Sequence, residues 1–146
     1  GKLDTYTPEV KAEIVRWEEA SGGDAPEQMQ RVWQNALSSR WDRPPVWVHG
    51  DMAPGNVLLD ARGQFLGLID FGSLGVGDPA CDGTMLWTFF RGAAREAFQA
   101  AIEFDAATWD RARGWALWKA AITAAKGGSV GRAGANTLRF VLSDAP

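Results

Sequence analysis

Cysteine occurs once in 146 residues, at Cys81, so the chain has no internal disulfide framework and suits a reducing cytoplasm. An excess of basic charge is also missing: 15 lysines and arginines stand against 18 acidic residues, for a net charge of −3. That balance leaves no electrostatic footprint for nucleic acid or an anionic membrane, and it fits a cationic small substrate slightly better. No apolar run approaches the ~20 residues of a membrane span, and the opening stretch from Gly1 to Trp17 lacks the apolar centre of a secretory leader. The expectation is a soluble, cytoplasmic protein without membrane or nucleic-acid partners. There is no internal repeat and no long low-complexity stretch.

What is present is enough apolar residue, 46%, to bury one core at a length common for one domain, so residues 1–146 are read as a single domain. Eight tryptophans are many for this length and are read mainly as core or interface filler. A helix is expected to start at Thr7 as its cap, with Pro8 at the first helical position and Val10, Ile14, Val15 and Trp17 at helical spacing, stopped by Ser21-Gly22-Gly23. A second begins near Asp24 and carries Met29, Val32, Trp33, Ala36 and Leu37 at a 3.6 period, ending before Pro44-Pro45. Short apolar runs at 46–48, 57–59 and 65–69 read as strands, the last two joined by the turn-forming Asp60-Ala61-Arg62-Gly63. The stretch 72–79 holds too much glycine for a regular element, and four helices are expected after it, near 80–90, 93–103, 106–126 and 129–143. The fold class is mainly α with a small β insertion (α+β), not an alternating βαβ sheet.

Polar residues gather where the strands stop. In Val48-His49-Gly50-Asp51-Met52-Ala53-Pro54-Gly55-Asn56-Val57, Asp51 and Asn56 stand five positions apart across a loop stiffened by Pro54 and loosened by Gly55, which lets both turn toward one point. In Leu68-Ile69-Asp70-Phe71-Gly72 another carboxylate closes an apolar strand, and Gly72 is expected to let the backbone turn sharply. Either pattern alone is an ordinary turn. Together they supply what phosphoryl transfer needs, because its loose transition state asks a protein mainly to position reactants and neutralise charge. Asp70 and the amide oxygen of Asn56 can hold Mg2+, with water and ATP phosphates completing the shell. Asp51 is then free to meet a hydroxyl, orienting it early and accepting its proton late.

The segments HGDMAPGN, IDFG and GVGDPACD, in this order, resemble the catalytic segment of the aminoglycoside phosphotransferase family, which shares the protein-kinase fold. Protein kinases place an Arg between the His and Asp of this loop; here Gly50 stands there, as in small-molecule kinases. The resemblance runs from the helices before the loop to Phe140. It implies the C-terminal lobe of a kinase-like fold, ATP and Mg2+ as cofactors, Asp51 as catalytic base, and Asn56 and Asp70 as metal ligands. By the same resemblance His49 is a structural member of the loop, while Asp78 and Asp82 fix the loops by hydrogen bonds and helix capping. Ala53 departs from the polar or histidine residue that many relatives carry two places after the aspartate, which removes a phosphate or water contact. No glycine-rich loop and strand lysine lie ahead of Thr7, so the N-terminal nucleotide lobe is expected to be absent and to be the missing partner of this chain.

The implied function is ATP-dependent O-phosphorylation of a small-molecule hydroxyl, an aminoglycoside-like antibiotic by the resemblance, with this chain alone inactive. The alternatives are a kinase for a metabolite or macrolide (a choline-like alcohol, a hydroxy amino acid or a sugar) and a non-catalytic binding module. Glu96, Glu103, Asp105 and Asp110 are candidate partners for acceptor ammonium groups, read first as a solvated helix surface. Trp109, Trp115 and Trp118 read first as a buried helix face. Apolar surface that would face a second lobe makes a homodimer of this chain an expectation as well.

Overall fold

A computed structural model describes residues 2–21 and 23–144. A tight turn at Leu3–Tyr6 leads into α1 (Thr7–Ser21), whose Val10 is fully buried while Val15 faces solvent. Thr7, expected as the cap, is itself the first helical residue, and its hydroxyl accepts the Trp33 indole N–H at 3.3 Å. Helix α2 (Ala25–Leu37) buries Met29, Val32, Trp33 and Ala36, the stripe its periodicity predicts.

The strands form two antiparallel pairs. One is the expected hairpin, β2 (Val57–Leu59) with β3 (Phe65–Leu68), in which Asp60 accepts the N–H groups of Arg62 and Gln64. The other was not expected: β1 (Val46–Val48) pairs with β4 (Gly75–Gly77), inside the stretch read as irregular. Two glycines around Val76 leave no alternation to read, and β1 supplies the ladder that organises them.

The expected helix at 80–90 is split into a tight turn, Pro79–Thr84, and one helical turn, α3 (Met85–Thr88). The turn brings Gly83 so close to Ala112 that an added Cβ would lie 2.9 Å from the Ala112 Cβ. Helix α4 spans Gly92–Ala101, and α5 (Ala106–Ala124) starts at Asp105, whose carboxylate accepts the Thr108 N–H at 2.8 Å. Gly127 and Gly128, both at positive φ, separate α5 from α6 (Gly128–Ser143).

Helix α5 is the axis of the domain, buried by α2 on one side and α6 on the other. Gly114 admits Ala36 so closely that a Cβ would meet it at 2.4 Å, and Gly134 approaches the α5 backbone at Ala124 to the same distance. Leu86, Ala112, Ala116, Leu117, Leu138 and Val141 fill the space between. The strand pairs are the opposite case: Trp47 is 74% exposed, and Phe65, Leu66 and Val76 are exposed with it. Among the described residues no helix is long and apolar enough to cross a membrane.

Candidate active site

Strand β1 ends at the buried Val48 and carries His49 inward, leaving its side chain buried. His49 Nε2 lies 2.9 Å from the Ile69 carbonyl oxygen, an atom that only accepts, so Nε2 bears the proton and donates. Nδ1 is thereby an acceptor and takes the Asp51 N–H at 3.4 Å. The Phe71 ring packs on the imidazole at 4.8 Å between centroids. A single ring thus joins the backbone at Asp51 to the backbone just before Asp70. Asn56 adds two more links: its Nδ2 donates to the Asp51 carbonyl at 2.9 Å, and its own carbonyl accepts the Ile69 N–H at 3.0 Å. With the amide nitrogen engaged, Oδ1 is the atom left to face a cation.

The carboxylate of Asp82 binds the loop from beneath. It accepts the N–H of His49 at 2.7 Å and of Gly50 at 2.9 Å, two donors that the chain would otherwise leave unpaired as it departs from β1. Asp78 caps the turn at Ala80 (3.0 Å) and accepts Arg111 Nε at 2.7 Å. Arg111 is almost fully buried and also donates to Ser39 Oγ (2.8 Å) and Thr108 Oγ1 (3.0 Å), which locks α5 to the connection before β1. Sequence reasoning missed Arg111, whose partner lies 33 positions away.

Asp70 has φ 63° and ψ 61°, the single non-glycine at positive φ among the described residues. Gly72, expected to make the sharp turn, lies instead in the tight turn Phe71–Ser73 without a positive φ. The reversal occurs at the aspartate itself, a residue that tolerates the left-handed region better than most at a cost on the order of 1 kcal/mol. Its carboxylate thereby leaves the in-and-out alternation of β3. Among the described residues no three His, Cys, Asp or Glu side chains converge into a self-sufficient metal cage. Asp70 and Asn56 offer one carboxylate and one amide oxygen, a hard donor pair that suits Mg2+ if phosphate and water complete the shell.

Asp51 lines a cavity of about 990 Å³ whose wall includes neither Asn56 nor Asp70. Tyr6, Trp41, Trp115 and Trp118 form much of its wall; Tyr6 packs on Trp118 at 4.2 Å and on Trp115 at 5.2 Å. Trp115 and Trp118 thus serve a cavity as well as a helix face, whereas Trp109 packs away from it on Phe104 and Trp87. Lys119 of α5 reaches Asp51, with Nζ 2.6 Å from Oδ1, across 68 positions of sequence. The available sequence clue was a single lysine inside the apolar run Trp115-Ala116-Leu117-Trp118-Lys119-Ala120-Ala121.

None of the four acidic candidates for acceptor binding lines this cavity. Glu96 and Glu103 are exposed, Asp105 caps α5 and pairs with Arg43 at 2.8 Å, and Asp110 lines a separate cavity of about 230 Å³. The Asp105 carboxyl is held below the usual range by its hydrogen bonds from Thr108, the hydroxyl first and the backbone second. Cys81, between the two loop-fixing aspartates, has its thiol pushed up to about 12, first by burial and then by the charges of Asp82 and Asp78.

A helical body with two laced loops beside two short strand pairs is the architecture of the C-terminal part of a protein-kinase-like fold. The chain is similar to a solved structure, the complex of gentamicin with APH(2″)-IIa, at a TM-score of 0.52 and 19% identity. That match covers 99% of this chain and 52% of the other, so the chain spans about half the length of that neighbour. Residues 3–115 match the phosphotransferase enzyme family APH, and the chain belongs to that family. No protein of curated function matches it.

Proposed function

We propose that this chain is the acceptor-side half of an ATP-dependent kinase that phosphorylates a hydroxyl of a small molecule. In the step itself a bond forms between the acceptor oxygen and the γ-phosphorus, the bond from that phosphorus to the β,γ-bridging oxygen breaks, ADP leaves, and the hydroxyl proton passes to the Asp51 carboxylate. Asn56 and Asp70 would hold Mg2+, which when bound neutralises phosphate charge. His49, Asp78 and Asp82 keep the loops in register. The observation that carries the reading is the lacing itself: one imidazole and one amide tie Asp51, Asn56 and the residue before Asp70 into a unit. Asn56 and Asp70 supply hard oxygen donors to that unit, and Asp51 lines a cavity large enough for a drug-sized acceptor.

For the acceptor, the gentamicin bound by the structural neighbour supports an aminoglycoside. The cavity wall favours a second reading. Of its carboxylates, Asp78 is engaged by Arg111 and Asp51 by Lys119, leaving Asp4 alone against Lys2 and Arg40, while four aromatic rings supply stacking surface. A hydroxylated acceptor with a ring body and little positive charge, such as a macrolide or sugar, fits that wall better than a polyamine does. The test is a panel of aminoglycosides, macrolides and small hydroxylated metabolites incubated with the full-length protein and Mg·ATP, read by mass spectrometry. A phosphorylated acceptor supports the reading and names the class. Phosphate transfer to none of them, with Mg·ATP bound, would refute the assignment to these acceptors.

A further inference from the structure

An ammonium group has three N–H donors, and at Lys119 two are directed at the catalytic loop: one to Asp51 Oδ1 at 2.6 Å, the other to the Met52 carbonyl at 3.4 Å. The third is available to the cavity, which both Lys119 and Asp51 line. Burying most of a lysine is costly unless its charge is used, and the Lys119 side chain, in the same cavity wall as Trp115 and Trp118, keeps only 23% exposure. The loop itself supplies no donor side chain next to Asp51, because Met52 and Ala53 follow it. Arg111, also in the cavity wall, is committed to Asp78, Ser39 and Thr108. The cation beside the reacting carboxylate therefore comes from helix α5, the same helix that contributes Trp115 and Trp118 to the cavity.

We propose that Lys119 is a catalytic residue that binds a non-bridging oxygen of the phosphoryl group as it passes to the acceptor. The proposal rests on the phosphotransfer reading and adds a residue to it. In the ground state Asp51 holds the ammonium in place. During transfer the acceptor oxygen bonds to phosphorus, the bridging oxygen departs with ADP, and the acceptor proton moves onto Asp51. The carboxylate then carries no charge, its charge-assisted bond to Lys119 weakens, and the ammonium is released toward the phosphate now on the acceptor side. The attraction thus grows along the reaction coordinate, which lowers the barrier instead of merely strengthening substrate binding.

The test uses the full-length protein and two probes that need no identified acceptor: hydrolysis of Mg·ATP with water as acceptor, and calorimetric binding of Mg·ADP with tetrafluoroaluminate, which mimics the transferring group. Lys119→Met is expected to lower the hydrolysis rate and the tetrafluoroaluminate affinity by about 100-fold each, while Mg·ATP affinity changes by less than ~2-fold. Lys119→Arg is expected to keep the rate within ~10-fold, and Ala53→Lys added to Lys119→Met to recover part of the loss by returning an ammonium from the loop. Equal weakening of Mg·ATP and of the mimic, a faster Lys119→Met enzyme, or no recovery by either basic replacement would overturn the proposal. If instead Asp51→Asn leaves hydrolysis unchanged, the phosphotransfer reading fails first, and this inference falls with it.

Discussion

Gly50 lies so close to Ser73 that a Cβ at position 50 would sit 2.3 Å from the Ser73 carbonyl oxygen. The loop from His49 to Asn56 and the segment after Asp70 are in backbone contact there, with Gly50 at φ +80° and its N–H bound by Asp82. Space and dihedral angle both demand glycine, so the residue that replaces the protein-kinase arginine is fixed by the packing of two loops.

Gly50→Ala is therefore expected to destabilise the domain by roughly 2–4 kcal/mol, the left-handed penalty and the overpacking acting together. Denaturant unfolding should show a lower midpoint with an unchanged slope. Asp82→Ala should cost about 1–3 kcal/mol by leaving the His49 and Gly50 N–H groups unpaired. A Gly50→Ala variant as stable as the parent would show that the loops do not meet as described.

That Asp51, Asn56 and the backbone before Asp70 come together was legible in the sequence because all three lie at strand ends between β1 and the end of β3, where polar side chains escape alternation. Lys119 was not, since its ion pair spans 68 positions and only packing of α5 brings the two groups together. The β1–β4 pair was hidden for a related reason: a three-residue strand with two glycines has no period of its own and exists through its partner. Gly72 misled in the opposite direction, because glycine is the usual residue for a reversal and here the aspartate beside it takes the strained angle. The glycines that let α5 meet α2 and α6 gave no warning either, as close approach is a property of the neighbour.

Cys81 provides a pH test of the packing under the loop from His49 to Asn56. The thiol is pushed from its usual 9.0 up to about 12 in the folded chain, so between those values the unfolded chain loses its proton first and binds fewer protons. Stability is then full below pH 9 and falls as pH rises toward 12, by up to about 1.4 kcal/mol per unit. Urea unfolding of the parent and of Cys81→Ala between pH 8 and pH 10.5 should show a steeper fall in the parent. Parallel curves would mean that the thiol titrates as an exposed one.

The exposed apolar strand pairs, with Trp47, Phe65, Leu66 and Val76 on the surface, are expected to make the isolated chain self-associate. Light scattering at rising concentration should report dimers or larger species, and Trp47→Ser with Phe65→Ser should shift them toward monomer. A monomer at every concentration would remove the case for association.

The division of labour between Asp51 and Asp70 is the central claim, and paired substitutions in the full-length protein test it most directly. Calorimetric Mg·ATP affinity and turnover are measured for Asp51→Asn and Asp70→Asn. The expectation is that Asp51→Asn abolishes turnover with Mg·ATP affinity nearly intact, because asparagine keeps the shape but cannot take the hydroxyl proton. Asp70→Asn should weaken Mg·ATP affinity along with the rate, with partial recovery at high Mg2+. Equal effects of the two substitutions on Mg·ATP affinity would contradict the account.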